Sequence, residues 1–325
     1  MIDRILVPLD GSSLAESALP HAAALADAFD AKVRLFRVLE PGRVGGLTGD
    51  SLENRLQRRE LESYLEGQLE KLRAAGVDAS MVIGEGKASE EIIRRVEEDE
   101  IDLILATAWG QGGASEFFLG GTARKLVSGA YTSIMLIRPR SPGRGDARPA
   151  RYARVLVPVD GSRRADWALC LASSIARSQG AELVMVHVVV VPETPARLPR
   201  QPVEEQLRRQ LVQMGRRSAE QYLEEMRGKF AAPDLDVRWK VVVGSRVPDA
   251  LLRTARGERA GLIVMSAHGA SDDMQWPYGS VAAGLLDYCD LPLLVFQDRP
   301  RRPRHETRVV DRTRTSIPSV HAPAP

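Results

Sequence analysis

Two aspartates, Asp10 and Asp160, each close a short apolar run and are each followed by Gly-Ser. A buried strand that ends this way delivers a carboxylate to a tight turn, and the serine can cap the helix that follows. The two runs are copies of each other. Arg4-Ile5-Leu6-Val7-Pro8-Leu9-Asp10-Gly11-Ser12 recurs as Arg154-Val155-Leu156-Val157-Pro158-Val159-Asp160-Gly161-Ser162, identical at seven of nine positions. A second constellation follows each aspartate downstream. Ser266-Ala267-His268-Gly269, nine residues, then Gly279-Ser280 has its counterpart in Thr107-Ala108-Trp109-Gly110, nine residues, then Gly120-Gly121. Glycines let a backbone approach a ligand closely, and amides at a helix start favour an anion. These residues fit either a phosphate cradle or the plain geometry of a strand-to-helix turn, with no nucleophile, metal triad or general-base pair beside them.

The elements that must position these groups read as one plan used twice. In the first half, apolar runs predict strands at 4–9, 33–39, 79–83, 102–108 and 133–137. Helical periodicity falls at 13–29, along leucines 52, 56, 61, 65, 69 and 72, at 89–99 and at 122–130. Ser13 and Glu16 have capping-box spacing, and Asp50 with Glu53 opens the long helix. The second half predicts strands at 154–159, 182–190, 236–243, 261–267 and 292–296, with helices at 163–178, 203–228, 247–258 and up to 288. Strands alternating with helices imply parallel sheets covered on both faces. The expected fold is therefore α/β: two tandem Rossmann-like domains, each a five-stranded parallel sheet. Ligands in such sheets bind beyond the carboxyl ends of the strands, where both aspartates and both glycine loops fall. Pro8 and Pro158 sit near strand ends, where one lost ladder bond is tolerable. The domains are placed at 1–140 and 154–297, joined by a Pro/Gly-rich linker at 141–153, with 298–325 a disordered basic tail.

Composition narrows the class. The chain has 325 residues, a net charge of +2 and two cysteines. The positive excess sits in the linker and tail rather than in either half, which argues against specific nucleic-acid binding. Cys170 and Cys289 lack CxxC or Cys/His metal spacing and read as two small buried hydrophobes of a reducing compartment. No apolar run reaches the ~18–20 residues of a membrane span, and the first strand begins too early for a signal peptide. The expectation is a cytoplasmic protein that does not enter a membrane. No Walker A sequence or Gly-x-Ser-x-Gly elbow is present. His187 reads as a sheet histidine opposite Arg37 of the first half. His268 is either a solvated loop histidine or a ligand contact, and Trp109 and Trp276 either pack under the loops or stack on a base.

Together, the strand ending in Asp-Gly-Ser and the Gly-x9-Gly-Ser/Thr after the fourth strand resemble the universal stress protein family in its tandem, two-domain form. The likeness covers residues 2–297 apart from the linker. It implies a HUP-type fold and a stress-response role without catalysis, with an adenine nucleotide, ATP or AMP with or without magnesium, as ligand. The nucleotide-binding members use Gly-x2-Gly-x9-Gly-Ser/Thr for phosphates and ribose, and the first-strand Asp with a second-strand Val for adenine. Carried over by position, Asp160, Val188, Gly269, Gly279 and Ser280 match in the second half, with Ser266 replacing the first glycine. Asp10, Val38, Gly110 and Gly120 match in the first half, with Thr107 replacing the first glycine and Gly121 the hydroxyl. An added Cβ crowds the ligand, and a lost hydroxyl forfeits a bond to a charged acceptor worth ~1.5–3 kcal/mol, so the second half is the better binder. The resemblance also implies that 133–137 and 292–296 meet, giving a pseudo-dimer within the chain and leaving a further homodimer open. Two alternatives share the architecture. One is a nucleotide-free interaction module; the other is an ATP-hydrolysing or nucleotidyl-transfer enzyme, which needs Ser-Gly-Gly-x-Asp-Ser or His-x-Gly-His where this chain has Asp-Gly-Ser.

Overall fold

Uninterrupted aliphatic runs such as Ile5-Leu6-Val7 and Leu103-Ile104-Leu105 can be satisfied only by burial on both faces, and both are fully buried. The computed structural model describes residues 2–40, 52–110, 119–139, 148–191, 202–270 and 277–298. Asp50, most of the linker, the tail beyond Asp298, and the loop holding Asp272, Asp273 and Trp276 lie outside the described residues.

The first domain runs β1 (Arg4–Pro8), α1 (Ser13–Glu16), α2 (Leu19–Phe29), β2 (Lys32–Leu39), α3 (Leu52–Ala74), β3 (Ala79–Glu85), α4 (Ala88–Glu98), β4 (Leu103–Thr107), α5 (Gly121–Gly129) and β5 (Ser133–Ile137). The second runs β6 (Arg154–Pro158), α6 (Arg163–Gln179), β7 (Glu182–Val190), α7 (Pro202–Phe230), β8 (Val237–Gly244), α8 (Val247–Gly257), β9 (Leu262–Ser266), α9 (Ser280–Tyr288) and β10 (Leu293–Phe296). Strand order is β3-β2-β1-β4-β5-β10-β9-β6-β7-β8. Every pairing is parallel except one. At the centre β5 and β10 run antiparallel, with Leu136, Met135 and Ile134 opposite Leu293, Leu294 and Val295. Two parallel sheets thus form one ten-stranded sheet, and each half reverses its strand order beside its own first strand.

Side chains alternate between two layers. Ile5 and Val7 enter one apolar cluster with α2, α3, α6 and α7, whereas Leu6 enters the other with α4, α5, α8 and α9. Both clusters contain residues of both domains. The helix expected over 13–29 is two helices, because Pro20 stands in the first turn of α2 and has no N–H to continue from α1. Cys170 occupies the matching place in α6, which is continuous, and it is exposed rather than buried as expected, whereas Cys289 is buried. Along α3 the leucine stripe is buried at Leu65, Leu69 and Leu72, but Leu56 is 52% exposed. No described helix is long and apolar enough to cross a membrane.

Polar groups tie the halves together. Arg138, just past β5, donates to the carbonyls of Leu286 at 2.7 Å, Asp287 at 2.9 Å and Cys289. A cation there satisfies the orphan carbonyls that close α9. The end of the linker lies along α2. Ala150 N donates to Pro20 O at 2.8 Å, Gln179 Nε2 to Ala150 O at 3.0 Å, and Tyr152 N to Gln179 Oε1 at 2.8 Å. The Tyr152 hydroxyl meets His21 Nδ1 at 2.6 Å, with the two rings stacked.

Burial lowers the His21 pKa from 6.5 to about 4. The folded state thus holds His21 neutral, as an acceptor for Tyr152, while the unfolded chain takes up the proton first. The resulting stability is complete above about pH 6.5 and is lost as the pH falls toward 4. Urea unfolding at pH 7 and pH 5 tests this. The wild type should lose more stability across that interval than His21→Gln, whose amide oxygen accepts without titrating; equal losses would exclude His21 as the cause.

Candidate functional site

Each first strand stops at its proline, and the next residue restores the ladder: Leu9 N donates to Phe36 O at 2.8 Å and Val159 N to Val186 O at 2.9 Å. The chain then turns through Gly11 and Gly161, whose φ values of +84° and +83° favour glycine. Asp10 Oδ1 accepts from Ser12 N at 2.9 Å, and Asp160 Oδ1 from Ser162 N at 3.0 Å. Each serine in turn caps its helix, Ser12 Oγ accepting from Ala15 N and Ser162 Oγ from Ala165 N. The cap is therefore Ser12 and not Ser13. Glu16, expected to complete a capping box, instead accepts from Tyr64 Oη at 3.1 Å and Gln68 Nε2 at 3.2 Å of α3. Asp166 and Tyr222 repeat this brace in the second domain at 3.3 Å. Burial, followed by the neighbouring carboxylates, raises the pKa of both tyrosines, which keeps them as donors. Alignment of the two halves carries that signal, since an acid on the first helix recurs with a tyrosine on the long helix.

The loops after β4 and β9 approach these turns closely. A Cβ on Gly110 would overlap the Asp10 carboxylate, and one on Gly269 would overlap that of Asp160. Asp160 Oδ2 accepts from Ala270 N at 2.8 Å, so this carboxylate bridges its own turn and the opposite loop. The departures at the first pattern glycine prove to be loop braces. Thr107 Oγ1 donates to Trp109 O and Ser266 Oγ to His268 O, each at 2.7 Å. Gly120 N and Gly279 N return to Ala108 O and Ala267 O, each at 2.8 Å, which closes both loops alike. His268 is buried and its Nε2 faces Pro277 O at 3.0 Å, a carbonyl that Gln297 Nε2 also reaches at 2.7 Å. It is thus not a solvated histidine, and it lines the second cleft. Trp109 is buried.

Two clefts result. Asp10, Val38, Gly110 and Gly120 line the first, of about 630 Å³, together with Arg37, Gly121 and Thr122. Asp160, Val188, Ser266, Gly269, Gly279 and Ser280 line the second, of about 300 Å³, together with His187 and the aliphatic Val247, Leu251 and Met265. All ten positions singled out in the sequence are brought to these clefts, five-stranded sheet by five-stranded sheet. At the edge of each cleft, α5 and α9 begin without a side-chain cap. The role of Arg37 was not legible from type or spacing. Its guanidinium lies against Gly11 and stacks 4.8 Å from the Tyr64 ring centroid, giving the first cleft a cation where the second has His187.

The family profile described as "Universal stress protein family" matches residues 1–138 and again 151–297. This chain belongs to the universal stress protein family. Its tandem form is shared with the universal stress protein Rv1996 of Mycobacterium tuberculosis, 27% identical over 315 residues, covering 90% of this chain and 94% of that one. The single-domain universal stress protein YxiE of Bacillus subtilis is 27% identical over 149 residues, its whole length and 42% of this chain. The fold also matches a solved universal stress protein from Archaeoglobus fulgidus, with a TM-score of 0.62 and 19% identity over 91% of this chain and 99% of that one. As a universal stress protein of two domains, the chain matches the family profile twice, once in each half.

The close fit of Asp160 on Gly269 can be tested directly. Gly269→Ala places a methyl group on the carboxylate and should cost about 1–3 kcal/mol in guanidinium unfolding, as overpacking does elsewhere. Ser266→Ala keeps the Cβ and removes only the hydroxyl brace, so its loss should stay near 1 kcal/mol. A neutral Gly269→Ala would mean that the acid and the loop are not locked together.

Proposed function

We propose that this chain is a non-catalytic stress-response protein that binds an adenine nucleotide, ATP or AMP, with the second cleft the tighter site. The juxtaposition of Asp160 with Gly269, opposite the uncapped start of α9, carries this reading. A carboxylate offers about four acceptor sites, and two of those on Asp160 are taken by backbone amides. The remainder suit the N–H or O–H groups of a base or ribose. Val188, Val247, Leu251 and Met265 supply an apolar wall for a planar ring, as small-molecule sites commonly do. Gly279, Ser280 and the first amides of α9 suit the phosphates, with the helix dipole favouring their charge.

The first cleft is roomier but replaces that apolar balance with Arg37 and Glu40, and Gly121 stands where Ser280 offers a hydroxyl. We assign it the weaker affinity. Binding rather than turnover is proposed because the motifs pair no nucleophile with a general base, and two of the cleft hydroxyls, those of Thr107 and Ser266, are committed to loop carbonyls. Magnesium would enter with the phosphates, since among the described residues no three His, Cys, Asp or Glu side chains group to hold an ion. The cytoplasmic location expected from the sequence is part of the same proposal.

Mass spectrometry of small molecules released on denaturing the purified protein should find adenine nucleotide. Calorimetric titration should then show Asp160→Ala weakening ATP or AMP binding at least tenfold, Gly279→Val abolishing it in the second domain, and Asp10→Ala having the smaller effect. Circular dichroism would confirm that the variants fold. A wild-type protein that carries no nucleotide and titrates neither ATP, ADP nor AMP at millimolar concentration would sink this reading and leave an interaction module on the same fold.

A further inference from the structure

We propose that the first cleft selects a guanine nucleotide, and that Glu40 is the residue that chooses the base. This rests on the reading of both clefts as nucleotide sites and gives one of them a different base.

The two clefts can be matched element by element at the end away from the glycine loops. In the second, Val188, Val190, Val247, Leu251 and Met265 make a wholly apolar wall. Val38, Glu40, Ala88, Ile92 and Ala106 take those places in the first. Ala88 and Ala106 are shorter than Val247 and Met265, in keeping with a cleft of about 630 Å³ against about 300 Å³. Glu40 changes the chemistry, because it puts a carboxylate where the second cleft has Val190.

That carboxylate is held at the ring wall. Gly86 N donates to Leu39 O at 3.0 Å, which carries the β2–β3 ladder to this point. In an extended chain Glu40 and Val38, two residues apart, turn to the same face. Glu40 Oε1 then accepts from Ala88 N at 3.2 Å, so the acid stands between two residues of the wall. It has no other hydrogen bond or ion pair among the described residues.

An ionised carboxylate accepts and cannot donate. Guanine turns two neighbouring donors, N1–H and the N2 amine, toward such a group, one for each oxygen. Adenine has an unprotonated N1 at that edge, so a lone pair meets the acid with no proton between them. A site built to hydrogen-bond its ligand rejects the analogue that leaves its polar group unpaired. Val190 imposes no such demand on the second cleft. The weaker adenine affinity assigned to the first cleft is then selection against that base.

Calorimetry on the full chain carrying Gly279→Val, which removes binding in the second domain, isolates the first cleft. This variant should bind GDP at least tenfold more tightly than ADP. Adding Glu40→Gln keeps an acceptor for Ala88 N but turns an amide toward guanine's donors, so the preference should vanish; a residue that only caps α4 would leave it unchanged. Adding Glu40→Val, which copies the second cleft, should favour ADP. Circular dichroism checks that each variant folds. An ADP preference in Gly279→Val, or a GDP preference that survives either change at Glu40, would overturn the proposal. So would a Gly279→Val chain that binds neither nucleotide. In that case a wild type that still binds ADP keeps the second cleft as a nucleotide site, whereas one that binds neither ends the underlying reading too.

Discussion

A carboxylate oxygen can rest against the backbone of Gly269, and of Gly110, only because neither residue has a Cβ. That contact fixes the distance between the turn after each domain's first strand and the loop after its fourth, and so sets the width of each cleft. The rest of the site serves it. Gly11 and Gly161 supply the left-handed turn that aims the aspartate, while Ser12 and Ser162 anchor that turn to a helix. Tyr64 and Tyr222 brace the same helices from the long helix packed on them. A strand end is an imprecise place to hold a charged group, and these short-range bonds remove the freedom that would otherwise let the acid turn to solvent.

The scaffold is stiff because the two domains share their interiors. Each layer of helices packs on an apolar cluster that continues across the antiparallel pairing of β5 with β10. Both are apolar strands that would be exposed edges in an isolated domain, where unpaired amides invite uncontrolled association. Their union removes that hazard and leaves β3 and β8 as the outer edges of the sheet. Arg138 reinforces the seam by closing the end of a helix in the other domain, with burial drawing its pKa down from the usual arginine value.

Duplication has kept the framework and varied the walls. Pro20 splits a helix that Cys170 leaves whole, which reshapes the surface on which the linker lies. Arg37 puts a fixed cation beside the first turn where the second has an imidazole, and Gly121 removes a hydroxyl that Ser280 retains. By contrast, Thr107 and Ser266 differ from glycine in a way that costs the cleft little. Their hydroxyls turn back onto the loop that follows and stiffen it.

Most of the fold was legible in the sequence, since the repeated Asp-Gly-Ser strand ends and the alternation of apolar runs depend only on local pattern and solvent exclusion. The strand and helix centres follow from that periodicity, as does the placing of all ten candidate residues at the carboxyl ends of the strands. What the pattern misjudged was settled by partners distant in sequence. Ser13 and Glu16 form no capping box because Glu16 is claimed by Tyr64 and Gln68 from α3, while Ser12 takes the cap that the Asp-Gly-Ser turn predicts. His268 is buried because Pro277 and Gln297 close over it, a contact that no loop composition signals. The cation of the first cleft, and the rest of each carboxylate against the glycine of the opposite loop, arise only once the sheet has brought separate elements together. Periodicity records which side of an element avoids water. Which residue then meets which across that dry interior is decided by three-dimensional packing, and only the tertiary structure contains it.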